Sequence, residues 1–162
     1  MDDLQVAKIF TDLSKQYPSL YDLEKAMKTW PGAEGENPYP LEHIFSGGVY
    51  IRQMTAPAGS LAIGKRHRYE TCNMILKGEC SVYMGEDEPP KRVKAPFLFT
   101  SKPMTKKLVY FHEDTVFVNI HPTSETDLEK IESHFVIPEE EYLQLSSSDI
   151  KNIEQEDKQC LG

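Results

Sequence analysis

The sequence predicts a mainly β protein, a sandwich or closed barrel of short strands with helices before and after it. Short segments rich in β-branched and aromatic residues recur from Leu41 to His121, at roughly the spacing expected of such folds. Turn clusters such as Pro57-Ala-Gly59 and Lys77-Gly78 separate them. The segments outside this region carry helical spacing instead.

In chain order, Leu4, Ala7, Ile9, Phe10 and Leu13 fall on one helical face, which predicts a helix over residues 4–16. Tyr17-Pro18 breaks it, and Ser19 caps a second helix to about Thr29. Trp30-Pro31-Gly32 stops that helix, and residues 31–40 hold three prolines and two glycines, the composition of a loop. From Leu41 the character is β. Strands are predicted at 49–54, 61–63, 68–76, 80–84, 92–94, 97–100, 107–111 and 115–121, with a polar hairpin loop at 85–90. Thr123 or Ser124 is placed to cap a helix over 123–134, and 134–138 offers a final strand. This divides the chain into an N-terminal helical extension (1–40), a β domain (41–138) and an acidic, Ser-rich tail (139–162) expected to be mobile.

Composition bounds the function. A net charge of −8 argues against a nucleic-acid polymer as partner. No apolar run is long enough to cross a membrane, and the acidic N-terminus lacks a signal-peptide core, so a cytoplasmic setting is expected. Cys72, Cys80 and Cys160 lack metal-site spacing and read as free thiols. The charge is uneven. Lys65, Arg66, Arg68, Lys77, Lys91, Arg92, Lys94, Lys102, Lys106 and Lys107 make the middle of an acidic chain basic, which favours a small anionic ligand.

Residues 65–78 are the most informative stretch. Read as a strand, they put His67, Tyr69, Thr71 and Asn73 on one face, the pattern of a polar pocket wall. On the last strand Phe117, Asn119 and His121 share a face, which would bring Asn119 and His121 opposite His67 and Asn73. His121 also stands before Pro122, where it would serve simply to close the following helix. Lys106-Lys107 reads as a solvated pair or as one inward lysine that needs an anionic partner. Arg52 is a weaker candidate. Glu139-Glu140-Glu141 reads as a solvated face, and His112-Glu113-Asp114 as a turn.

Pro57-Ala-Gly59, His67 and Gly78 have the cadence of a first cupin motif, and Ala95-Pro96, Ser101-Lys-Pro103 and Lys106-Lys107 occupy the place of the second. The chain from about Leu41 to Pro138 thus resembles the cupin superfamily, of RmlC-like jelly-roll barrels. It is similar above all to small cupin-like proteins of tailed bacteriophages. Gly48-Val-Tyr-Ile-Arg52, Gly64-Lys-Arg-His67, Asn73-Met-Ile-Leu-Lys-Gly78, Lys94-Ala-Pro-Phe97, His112-Glu-Asp-Thr-Val116 and His121-Pro-Thr-Ser-Glu-Thr-Asp-Leu-Glu-Lys-Ile-Glu132 carry the likeness. The resemblance implies a cupin-type barrel, a homo-oligomer (a dimer first), and, for a viral protein, the host cytoplasm.

The resemblance also implies where a metal would sit, and here the sequence departs from it. Lys65, His67, Thr71 and Lys107 fall at the ligand places, and Met104 stands where a glycine is usual. That set does not suit a divalent ion, so no cofactor is expected. A shifted set of His67, Tyr69 or Glu70, and His121 is the alternative. The expected ligand-binding residues are Lys65, His67, Tyr69, Thr71, Asn73, Lys106, Lys107, Asn119 and His121. Three functions compete. A binding module would hold an anion such as a nucleotide or sugar phosphate, and in a phage would sequester a host signal. An epimerase-, isomerase- or dioxygenase-like enzyme would use His67, Tyr69 and His121. A virion or assembly protein would use its helices and tail for docking.

Overall fold

The computed structural model describes residues 1–33, 39–85 and 88–160, with side chains to residue 156. Parts of the expected loops at 31–40 and 85–90, and the Cys160 side chain, lie outside the described residues. Two helices, α1 (Asp3–Gln16) and α2 (Leu20–Met27), precede nine strands. These are β1 (Leu41–Ser46), β2 (Val49–Ala56), β3 (Leu61–Ile63), β4 (Thr71–Lys77), β5 (Glu79–Tyr83), β6 (Lys91–Lys94), β7 (Phe97–Ser101), β8 (Leu108–Phe111) and β9 (Thr115–Pro122). Helices α3 (Leu128–Phe135), α4 (Glu139–Tyr142) and α5 (Ser147–Cys160) follow. No described helix is long and apolar enough to cross a membrane.

The strands form two antiparallel sheets, ordered β1-β2-β9-β4-β7 and β3-β8-β5-β6. Strands distant in sequence are neighbours in both, so the fold is a mainly β jelly roll with helices at both ends. One end of the interior is a dry core of Ile75, Val82, Val109, Phe111 and Phe117. Those residues alternate with outward ones, as the pleat requires.

Strand β8 is buried along its whole length. Val109 and Phe111 face the barrel core, while Leu108 and Tyr110 face Val6 and Phe10 of α1 and Leu23 of α2. The N-terminal helices therefore cover the outside of the smaller sheet. A capping box closes α1: Gln5 N–H donates to the Asp2 carboxylate at 2.8 Å, and Asp2 N–H donates to Gln5 Oε1 at 2.9 Å. Ser19 caps α2 as expected.

Several expectations are corrected. Residues 65–70 are not strand; β4 begins only at Thr71. The chain must cross from β3 in one sheet to β4 in the other, and it does so as a clamped loop. Met104 N–H donates to His67 O at 2.8 Å, Arg68 N–H to Phe135 O at 2.8 Å, and Ile137 N–H to Arg66 O at 3.0 Å. The final strand at 134–138 reduces to one bridge between Val136 and His67. Helix α3 starts later than expected because Asp127, not Thr123 or Ser124, supplies its cap. Thr123 instead accepts from Glu125 N–H in a local turn.

The segment after Pro138 is helical, and Glu139 is buried rather than solvated. Its carboxylate lies 3.1 Å from Arg66 Nε and 3.3 Å from Lys106 Nζ. Lys106 also pairs with Glu24 of α2 at 2.8 Å, and Arg66 stacks on Tyr142, 3.8 Å from the ring centre. This network ties α2 and α4 to the loops beside β8. Gly78 is fixed by geometry: its φ is +87°, and a Cβ there would lie 2.5 Å from the Asp114 carbonyl oxygen.

Removing one partner of a buried pair strands the other charge, which costs about 3 kcal/mol or more. Glu139→Ala is expected to lower the urea midpoint accordingly. Glu141→Ala removes the exposed partner of Arg68 and is expected to cost about 1 kcal/mol at most.

Candidate functional site

Alternation builds the site at the end of the barrel away from the dry core. Registers place Tyr50 beside His121, Arg52 beside Asn119, and Asn119 beside Asn73. Their side chains face inward in the same rows that end in Met54, Phe117 and Ile75. Helix α3 covers this end by packing Ile131 and Phe135 on Tyr50. A cavity of about 920 Å³ runs from these residues to the N-terminal helices, where Ile9, Glu24, Met27 and Lys28 line it. Its polar lining includes Arg52, His67, Lys107, Asn119 and His121.

Lys106 and Lys107 go to opposite sides. Lys107 has the parity of Val109 and Phe111 and enters the cavity; Lys106 has the parity of Leu108 and Tyr110 and meets the helices. Both are buried. Lys106 finds its counter-charge inside the protein, in Glu24 and Glu139, and does not line the cavity. Lys107 has no carboxylate within ion-pair distance among the described residues. Burial alone pulls its ammonium down from 10.5 to about 8.

Arg52, which the sequence ranked low, is the second cation of the cavity. Desolvation lowers its pKa, partly offset by Tyr50 and Glu132. The Glu132 carboxylate is taken by Lys65, its ion-pair partner at the cavity rim. Arg66 and Arg68 are likewise paired, with Glu139 and Glu141, and do not add free charge to the mouth.

His67 and His121 meet edge to face, with ring centres 5.2 Å apart. His121 is wedged between Tyr50 at 5.9 Å and Phe135 at 4.5 Å. Burial, then Lys107 and Arg52, lowers the His121 pKa from 6.5 to about 4. Burial, then Lys107, holds His67 well below its usual range. Both rings are neutral at pH 7. Thr71 Oγ1 lies 3.2 Å from both the Tyr69 carbonyl and His67 Nδ1, which holds the His67 ring in place. The Tyr50 hydroxyl lies 2.8 Å from His43 Nδ1, which adds His43 to the rim.

Of the expected ligand residues, the structure brings His67, Lys107, Asn119 and His121 to the cavity and Lys65 to its edge. Three others support it from behind. Tyr69 packs on His134 and Phe135 of α3. Thr71 holds His67. Asn73 spends its amide N–H bonds on Thr71 O at 2.9 Å and Ser101 Oγ at 3.2 Å, and accepts from Asn119 Nδ2 at 2.8 Å. Tyr50 and His43 were not singled out from the sequence, although the alternation Tyr50, Arg52, Met54 was available to find Tyr50.

A metal does not fit these donors. Among the described residues no group of three His, Cys, Asp or Glu side chains is placed to hold one. Of the shifted set, Glu70 is exposed and Tyr69 packs on His134 and Phe135 of α3, so neither is placed beside the His67–His121 pair.

No family model and no curated protein matches this chain. Solved structures do. An RmlC-like cupin family protein with a double-stranded β-helix fold from Methanocaldococcus jannaschii is 17% identical, over 58% of this chain and 87% of its own, at a TM-score of 0.44. KdgF from a Halomonas species is 13% identical, over 59% and 90%, at 0.47. A conserved protein with a double-stranded β-helix domain from Klebsiella pneumoniae is 14% identical, over 57% and 84%, at 0.46.

The neutral histidines set an acid limit. Below 6.5 the unfolded chain takes up protons that folded His121 refuses until about pH 4, so stability falls as pH drops across that window. Urea titrations at neutral pH and near pH 4 are expected to show this loss, and His121→Gln to reduce it.

Proposed function

We propose that this chain is a binding module whose barrel holds a small anionic ligand, a phosphate or carboxylate on a compact organic body. One observation carries the reading: Arg52 and Lys107 are both desolvated in one cavity, and neither has a carboxylate of its own within ion-pair distance among the described residues. An unpaired buried charge is costly, and an anionic ligand supplies the missing partner. Asn119 adds a polar group beside Arg52, and Tyr39, Leu41 and Met54 offer apolar contact for the rest of the molecule. Nucleotides and sugar phosphates combine these features. In a bacteriophage, such a barrel would sequester a host signal nucleotide.

The imidazole pair favours a second reading, acid–base catalysis. His67 presents a neutral ring, and His121 lies beside it. Tyr69 is turned to α3 and takes no part in it. Conversion of a bound sugar phosphate by the wild-type protein but not by a His67→Gln variant would favour this enzyme over the binding module.

A thermal-shift screen with inorganic phosphate, mononucleotides and sugar phosphates tests the binding module. Anions that occupy the cavity raise the melting temperature with concentration, by about 2.7 kcal/mol of stability at a hundredfold excess over Kd. Lys107→Met relieves a desolvation cost of about 3 kcal/mol, so the variant is expected to melt higher than the wild type. It is also expected to lose the anion response. A set of anions none of which shifts the wild-type protein, or a Lys107→Met protein that still responds fully, overturns the reading. Because the ligand favours charged Lys107, affinity is expected to fall as pH rises through about 8.

A further inference from the structure

The cavity does more than attract charge. Its lysine is a potential nucleophile, and the groups around it are those that imine chemistry needs. An amine attacks a carbonyl only when unprotonated, which a buried lysine without a counter-ion achieves near neutral pH. Lys107 meets that description: it is buried, it faces the cavity, and no described carboxylate pairs with it. Lys106, one residue away and equally buried, does not, because Glu24 and Glu139 pair with it.

The neighbours matter as much. His67 and His121 line the same cavity as Lys107, with their ring centres 5.2 Å apart, and its charge helps to lower both of their pKa values. Both rings are neutral, so each can take a proton and return it. Arg52 faces the same cavity and remains a cation for an anionic group on the same molecule.

We propose that Lys107 forms an imine with a small carbonyl compound whose carboxylate or phosphate is held by Arg52, with His67 and His121 moving the protons. The proposal rests on the anion-binding reading and names its ligand class as anionic aldehydes or ketones. The steps balance without a co-reactant. The Lys107 nitrogen lone pair forms a C–N bond to the carbonyl carbon as the C=O π pair moves to oxygen. An imidazole carries the ammonium proton to that oxygen, giving a carbinolamine. The remaining nitrogen proton, relayed by an imidazole to the hydroxyl, lets the C–O bond break and water leave as the nitrogen lone pair forms C=N. Hydrolysis by the reverse path releases the ligand.

Reductive trapping tests this. The full-length protein is incubated with glyoxylate, the smallest carboxylate bearing an aldehyde, and sodium cyanoborohydride. The hydride converts the imine to a stable secondary amine, and peptide mapping locates the carboxymethyl group. The adduct is expected at Lys107 at least about tenfold faster than at surface lysines, which are almost wholly protonated near neutral pH. Its rate is expected to level off above about pH 8, where surface lysines still accelerate. Inorganic phosphate, competing for Arg52, is expected to slow it.

Lys107→Arg keeps the cation and is expected to retain the phosphate-dependent thermal shift while losing the adduct. Labelling spread evenly over exposed lysines, or no adduct at Lys107, overturns the proposal. If that happens while phosphate still shifts the melting temperature, only the imine chemistry falls. If phosphate gives no shift either, the anion-binding reading falls with it.

Discussion

Strand β8 is buried on both faces, and most of this structure follows from that constraint. Its alternate side chains must satisfy a barrel core on one side and two helices on the other. The rule extends to the residues just before it. Two adjacent lysines are sent in opposite directions by the same pleat. Outside, Lys106 meets carboxylates from α2 and α4 and becomes the anchor for both. Inside, Lys107 meets imidazoles, an arginine and open space. One side of the strand is finished electrostatically and the other is not.

The rest of the charge distribution sharpens that contrast. Much of the basic middle of the chain is paired with carboxylates folded against it, some of them from the acidic flanks. Asp3 of α1 and Glu79 hold Arg92, Glu132 of α3 holds Lys65, and Glu139 and Glu141 hold Arg66 and Arg68. Net charge of either segment says little about what a ligand would meet. What matters is which cations remain after the flanks have docked, and among the desolvated cations of the cavity these are Arg52 and Lys107. Both sit where water is scarce, so their field is screened less than that of a surface patch.

The architecture was legible because strand alternation and turn chemistry are local. The strands from Val49 onward and both N-terminal helices lie near their expected bounds, and the Ser19 cap needed only its own neighbours. The site was legible only in part, because it depends on which strands pair and in what register. His67 reaches the cavity from a clamped crossover, not from a strand, so the polar row ending at Asn73 pointed to the right place for a partly wrong reason. Thr71 and Asn73 share its face but serve as supports, since neighbouring carbonyls and Asn119 use up their hydrogen bonds. Arg52 was undervalued because nothing in β2 alone reveals that β9 places Asn119 beside it. Glu139 looked solvated because its partners, Arg66 and Lys106, are far away in sequence. The late start of α3 reflects a competition between nearby caps, which Asp127 wins with two backbone N–H groups.

The unfinished side of β8 has a consequence for turnover. Proteases cut chains that open transiently, and the open population rises as the closed state loses stability. An empty cavity leaves a desolvated ammonium without a partner and so favours opening around β8. A bound anion, on the proposed reading, would remove that penalty. Occupancy would then be converted into lifetime: the filled protein would outlast the empty one in a proteolytic environment without any dedicated degradation signal.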